Sequence, residues 1–207
     1  MAYLDSASQI LPIFDALIKY SKELVVYLTP QYKAASNALR EITDIVYTDI
    51  SRLIQWQVKL QNLDFCRDDS KQKFLTLKQD MELFKNTPEY HAFGGDCHKI
   101  QEIYSTDLKP DLKRIFIRDR AKLAEADRVF EALGRTDDSI GGLAYFLFRN
   151  TEDAVEKINN NFQNAEKIKQ EFQDKIRRVK QALERQEREL DELRIGFQRL
   201  SSGHTLS

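Results

Sequence analysis

Apolar side chains recur at three- and four-residue steps along most of this chain, and the longest such run closes it. After Val155 they fall at Ile158, Phe162, Ala165, Ile168, Phe172, Ile176, Val179, Leu183, Leu190, Leu193, Phe197 and Leu200. From Phe172 the steps alternate four and three, with Gln186 in the single polar slot. That rhythm is a heptad seam and predicts packing of helix against helix. The positions around it are densely charged, as coiled-coil flanks are: Lys175, Arg177, Arg178, Lys180, Glu184, Arg185, Glu187, Arg188, Glu189, Asp191, Glu192 and Arg194. Read from about Thr151 to Leu200, the pattern predicts a helical rod about 75 Å long at 1.5 Å per residue.

The upstream pattern predicts further helices. The first starts near Asp5 or Ser6 and carries Ile10, Ile13, Phe14, Leu17, Ile18, Leu24, Val25 and Leu28, with Pro12 tolerable only in its first turns. Thr29-Pro30 ends it, and a second helix follows to about Leu63 with Leu39, Ile42, Val46, Ile50 and Leu53 on its stripe. Trp56 beside that stripe reads as a packing anchor. Beyond the polar loop Asp64–Ser70, a short third helix is predicted over Phe74, Leu77, Met81 and Phe84. The Gly94-Gly95 pair predicts a corner between helices, after which Asp96 can cap a fourth helix running from Cys97 to Leu133. Pro110 should kink or split that helix near Thr106–Lys109. Gly134–Ser139 is a turn. A last helix then begins at Asp138 or Ser139, either continuing into the rod or restarting at Asn150 or Thr151.

Glycine (7) and proline (4) are scarce in 207 residues, so turns are few. The fold class expected is all-α: an elongated antiparallel bundle of about five helices with a very long C-terminal helix. Residues 1–200 are read as one helical-bundle domain and 201–207 as a disordered tail. A net charge of −1 leaves no chain-wide electrostatic footprint for nucleic acid or membrane. The longest wholly apolar run, Leu143–Phe148, is far short of the ~20 residues that span a bilayer. Two cysteines, Cys66 and Cys97, and an N-terminus without a basic n-region point to a cytoplasmic protein.

Catalytic chemistry has little to stand on. His91, Asp96, Cys97 and His98 are the one cluster with ligand-type side chains, but Cys97 and His98 would point about 100° apart on a helix. A Cys97 nucleophile with His91 as base needs only what any helical corner can assemble. No Glu-x-x-His pairs and no phosphate-cradling loop occur. No catalytic residue, metal ligand or cofactor site is therefore assigned, and the protein is not read as an enzyme.

Three features can carry an interaction. The seam Phe172, Ile176, Val179, Leu183, Leu190, Leu193, Phe197 and Leu200 is core if the first and second helices cover it, and a coiled-coil interface if they do not. Lys113, Arg114, Arg118, Arg120 and Lys122 form a basic stripe opposite Ile115, Phe116 and Leu123. Such a stripe is either a solvated bundle face or a surface for anionic lipid. Leu143, Tyr145, Phe146, Leu147 and Phe148 are apolar on every side, hence a buried end of the bundle, a partner patch or a membrane tip. The leading expectation is a non-catalytic assembly module that self-associates or docks another helical protein through coiled-coil contacts. The alternative is a membrane-active bundle, either peripheral on anionic lipid or lytic by fold-level analogy with cell-death effectors and pore-forming toxins. Nucleic acid is the poorer partner, because aromatics do not interleave with the basic residues.

Overall fold

The computed structural model describes residues 4–28, 30–61, 88–135 and 139–201, all helix, turn or short connection, with no strand among them. The all-α class is as expected. The elements are α1 (Leu4–Val25), a 3₁₀ turn (Pro30–Tyr32), α2 (Lys33–Gln61), α3 (Pro88–Ile103), a π-helical turn (Tyr104–Leu108), α4 (Lys109–Ile115), α5 (Arg120–Leu133), α6 (Ile140–Asn160), a second 3₁₀ turn (Phe162–Asn164) and α7 (Ala165–Ser201). The expected loop Asp64–Ser70, the third helix over Phe74–Phe84 and Cys66 lie outside the described residues, as does the expected tail 201–207 except for Ser201, which is the last residue of α7 and not part of a disordered tail.

α7 is the spine. It packs most extensively on α2, then on α1 and α6. At 37 residues it is about 55 Å long, shorter than the rod expected from Thr151. The run Asn159-Asn160-Asn161 makes the difference. Asn161 leaves the helical region (φ −145°, ψ 70°), and its N–H caps the carbonyls of Lys157 and Ile158. Asparagine favours such ends over helix interiors. Asn150 and Thr151 start nothing: within α6 the Asn150 amide donates to Phe146 O and the Thr151 hydroxyl to Leu147 O, four residues back.

Two further expectations are corrected. Gly94 and Gly95 lie inside α3, not at a corner, and Asp96 does not cap a helix but pairs with Arg52 of α2. The helix starts earlier, at Pro88, whose missing N–H costs nothing in a first turn. The fourth helix also does not run unbroken to Leu133. It stops at Phe116, whose N–H bonds to Leu112 O, and α5 begins afresh behind Asp119, whose carboxylate accepts the Lys122 N–H.

Pro110 does disturb its helix where the sequence says it should. The π turn over Tyr104–Leu108 widens the backbone just before the proline, which then sits at the start of α4 where no donor is needed. The Tyr104 hydroxyl bonds to Asp127 of α5, which also pairs with Lys109 at 2.8 Å. Pro12, by contrast, lies well inside α1.

The buried apolar residues form one core cluster, led by Phe14, Leu17, Leu39, Ile42, Leu108, Leu112, Phe130 and Phe197. Trp56 packs against its edge, partly buried. Helices approach closely at Gly134, where an added Cβ would come within 2.9 Å of Gln101 Cβ, while Gly95 and Gly196 face open space. Gly134→Ala should therefore destabilise the fold by about 1–3 kcal/mol, because a Cβ cannot swing aside. Gly95→Ala and Gly196→Ala should each stabilise it by about 0.5–1 kcal/mol. Urea titration of the three variants checks both signs.

Candidate functional site

The heptad seam is fully used inside the chain. Phe172, Ile176, Val179, Leu183, Leu190, Leu193 and Phe197 are all buried, facing α2, α1 and α6. The side chain of Leu200 lies outside the described residues. The first and second helices do cover the seam, so it is core and not a free edge for a second chain. Charged flanks fasten the same contacts. Arg194 pairs with Asp44 and lies over the Tyr47 ring, and Ser51 bonds to Glu187. Arg185 pairs with Asp15 at 2.8 Å and Lys22 with Glu189 at 2.7 Å. Gln186, in the polar slot, sends its amide N–H groups to Leu11 O and Asp15 Oδ1, both at 2.9 Å.

The apolar run in α6 is likewise internal. Leu143, Phe146, Leu147 and Phe148 are buried, and only Tyr145 reaches the surface. As a partner or membrane patch it is closed off. The His91–His98 stretch does not converge either. Cys97 is buried with Sγ 3.2 Å from Ser139 Oγ, His98 is exposed, and Asp96 is engaged by Arg52. Among the described residues no group of three or more His, Cys, Asp or Glu could hold a metal ion. One surface depression, between α1 and α7, is lined in part by residues already paired with one another, Asp15 with Arg185 and Lys22 with Glu189.

The basic stripe is the feature that stays open, in a different shape from the one expected. Because the helix breaks at Phe116–Asp119, Lys113 and Arg114 end one helix, Arg118 sits in the turn, and Arg120 and Lys122 begin the next. The residues wrap a corner. Lys113, Arg114, Arg118 and Arg120 are exposed, and Lys122 is half-buried with its ammonium over the Tyr27 and Phe116 rings at 5.5 and 5.6 Å. Segment 111–122 holds five basic and two acidic residues, a net charge of +3. Both acids are engaged locally, Asp111 by Arg114 at 3.1 Å and Asp119 as the cap of α5. No ion pair among the described residues involves Lys113, Arg118 or Arg120 within 4 Å.

An aromatic string ties this corner to the core. Tyr27, in the turn after α1, meets Phe116 edge-on at 5.6 Å. Phe116 meets Tyr20 at 6.3 Å, Tyr20 meets Phe130 at 6.2 Å, and Phe130 stacks on Tyr104 at 4.8 Å. The Tyr20 hydroxyl donates to Lys122 O at 3.0 Å, so the start of α5 is fastened to α1. Burial raises the pKa of both Tyr20 and Tyr104 well above the usual phenol value, with carboxylates nearby adding to it. These hydroxyls are structural donors and poor nucleophiles. The corner also has an apolar component that the periodicity does not show: Val26 and Ile117 are the two most exposed large hydrophobics described, at 80% and 76%. Asp119, a good N-cap four residues past Ile115, was the available signal for the break.

No protein-family model matches this chain, and no curated protein or solved structure matches it either.

Two predictions follow from this geometry. Leu190→Ala should cost about 2–5 kcal/mol of folding stability, since it opens a cavity in the chain's own core, and should leave the mass by light scattering unchanged. A loss of oligomer without loss of stability would contradict that placement. The second concerns Asp49, buried at the α2–α3 contact. Burial, then the Asp96 carboxylate, push its pKa up to about 8, with Arg52 acting against them. A carboxyl raised in this way keeps its proton in the fold after the unfolded chain has released it. Stability should therefore fall as pH rises from about 4 to about 8. Asp49→Asn should remove that slope, matching the parent near the acid end and exceeding it near the basic end in denaturant titrations.

Proposed function

We propose that this protein is a non-catalytic helical docking module that binds the anionic surface of a membrane through the basic corner between α4 and α5. The observation that carries the reading is the contrast between surfaces. The seam and the α6 run are spent on the chain's own core, whereas Lys113, Arg118 and Arg120 stand exposed, with Asp111 taken by Arg114 and Asp119 by the cap of α5. Each basic side chain near an anionic leaflet contributes about 1 kcal/mol, so a cluster of this size gives reversible adsorption. No described helix is long and apolar enough to cross a membrane, which fits attachment from one side.

The scaffold we infer is one elongated, antiparallel bundle with α7 as its spine. Supporting this, the Asp44–Arg194 and Ser51–Glu187 contacts step in opposite sequence directions along α2 and α7. The Asp15–Arg185 and Lys22–Glu189 contacts step in the same direction along α1 and α7, as an up-down-up order requires. In this scaffold the role is peripheral, at the cytoplasmic face where anionic lipid is concentrated.

Co-sedimentation with vesicles tests the reading. The protein should pellet with phosphatidylserine-containing vesicles and not with phosphatidylcholine alone, and less so as salt rises. Replacing Arg114, Arg118 and Lys122 by Ala should weaken binding roughly 100-fold, at about 1 kcal/mol per charge. Binding that is indifferent to these three changes would refute the assignment.

A further inference from the structure

The basic corner also carries exposed aliphatic side chains, and these ask for an explanation of their own. Val26 and Ile117 are 80% and 76% exposed, whereas the next large hydrophobics, Tyr27, Ile195 and Tyr145, stand at 41–42%. Single partly exposed hydrophobics are ordinary. Two nearly bare branched side chains on adjoining turns are not. Val26 lies in the turn after α1, where Tyr27 N–H bonds to Leu24 O and Leu28 N–H to Leu24 and Val25 O. Ile117 lies in the turn closed by Asp119 N–H on Phe116 O. Turn tips are places for Gly, Asn, Asp, Ser and Pro, so branched aliphatics there run against local preference.

The two turns are joined. Each aliphatic is the chain neighbour of one ring in the Tyr27–Phe116 pair, which is in contact at 5.6 Å and overlaid by the Lys122 ammonium. Phe116 is itself buried, so the pair of tips stands on the core. Arg118 follows Ile117 directly, Lys113 and Arg114 precede it by one turn, and Arg120 follows. The other acids close to Tyr20 here are Glu23, Glu125 and Asp127: Glu23 and Glu125 are exposed, Glu23 faces Lys19 at 4.0 Å, and Asp127 pairs with Lys109.

We propose that Val26 and Ile117 form a two-loop apolar wedge that enters the boundary between headgroups and acyl chains of an anionic bilayer, while the surrounding basic side chains hold the headgroups. This rests on the anionic-membrane reading above and adds insertion to adsorption. The combination is the one interfacial binding calls for, apolar area buried a few ångströms deep plus attraction to anionic lipid. Two protruding side chains offer too little apolar area for a stable protein interface, and a folded partner would need a pocket to match them. A fluid bilayer needs none.

The test separates insertion from adsorption. Val26→Ser/Ile117→Ser is compared with the parent chain on phosphatidylcholine vesicles with and without phosphatidylserine, at low and high salt. Circular dichroism confirms the fold, which such exposed positions should not disturb. The expected result is low-salt binding little changed and the salt-resistant part reduced roughly tenfold or more. Tyr145→Ser and Ile195→Ser serve as controls and should bind as the parent does. As a second readout, Ile117→Trp in a Trp56→Phe background should show a blue-shifted emission on anionic vesicles. If the parent pellets but the double variant keeps its salt-resistant binding, or the indole stays in water, the wedge is overturned and surface adsorption stands. If the parent does not pellet with anionic vesicles at all, or pellets only until duplex DNA displaces it, both readings fall together.

Discussion

The structure depends on one constraint: the seam of α7 must be covered along its length, and α1 and α2 are placed to cover it. Seven of its apolar side chains are buried there, and the one polar member sets the alignment. The Gln186 amide N–H groups reach both Leu11 O and Asp15, while its Oε1 has no hydrogen-bond partner among the described residues. A half-satisfied buried amide is costly, and sliding α1 by one turn would leave all of it unpaired. The residue therefore contributes less to stability than to register, the role polar seam positions have in coiled coils. Arg185 on Asp15, Lys22 on Glu189 and Arg194 on Asp44 add to the same register from outside, each partly exposed and individually weak.

Covering the seam decides which surfaces remain. The α6 run closes over α7 and α1, so its aromatic and aliphatic side chains enter the same core. Along α7 several charges answer one another or the neighbouring helices, as in Lys180–Glu184 and Arg177–Asp174. Of the corner's five basic residues only Arg114 has an ion pair of this kind among the described residues, with Asp111. There the backbone turns too sharply for helical i to i+4 partners, and the nearest acids are committed to Arg114 and to the helix cap. The corner is basic because of how the chain turns, as much as because of its composition.

The helices were legible in the sequence because the apolar period is long and regular; their ends were less so. The stripe resumes at Leu123, seven residues past Phe116, so the helical period bridges the break, and only the polar slot at Asp119, the cap of α5, marks it. The step from Ile158 to Phe162 likewise hides the end at Asn161. Gly94 and Gly95 misled in the other direction, since glycine's preference for turns is worth only about 1 kcal/mol and the packing of Phe93, Cys97 and Ile100 outweighs it. The seam itself was read correctly as an interhelical surface. A periodic pattern carries no information on whether the covering helix belongs to the same chain. The five basic residues were visible as a stripe, but Val26 and Ile117 were not, because exposure at a turn tip is a property of two turns meeting and Val26 is ninety-one residues away from Ile117.

Charge balance then says how such a corner would act. The whole chain carries −1 and segment 111–122 carries +3, so the remainder carries −1 − 3 = −4. On the proposed membrane reading, an anionic surface attracts the molecule at this corner and at segment 167–180 of α7, which carries +4, and repels other parts of it. At physiological salt, charges more than about 8 Å from a surface are largely screened, so the repulsion acts only when the wrong side draws near. Of these two basic surfaces only the corner carries nearly bare aliphatics among the described residues, so under the proposal encounters there are the ones that go on to insertion. A uniformly basic protein would adsorb in many poses and seldom present two particular side chains. Near-neutrality of the chain, which at first argues against any membrane role, is compatible with a local one, in which the proposed pose is selected by the exposed aliphatics as much as by charge.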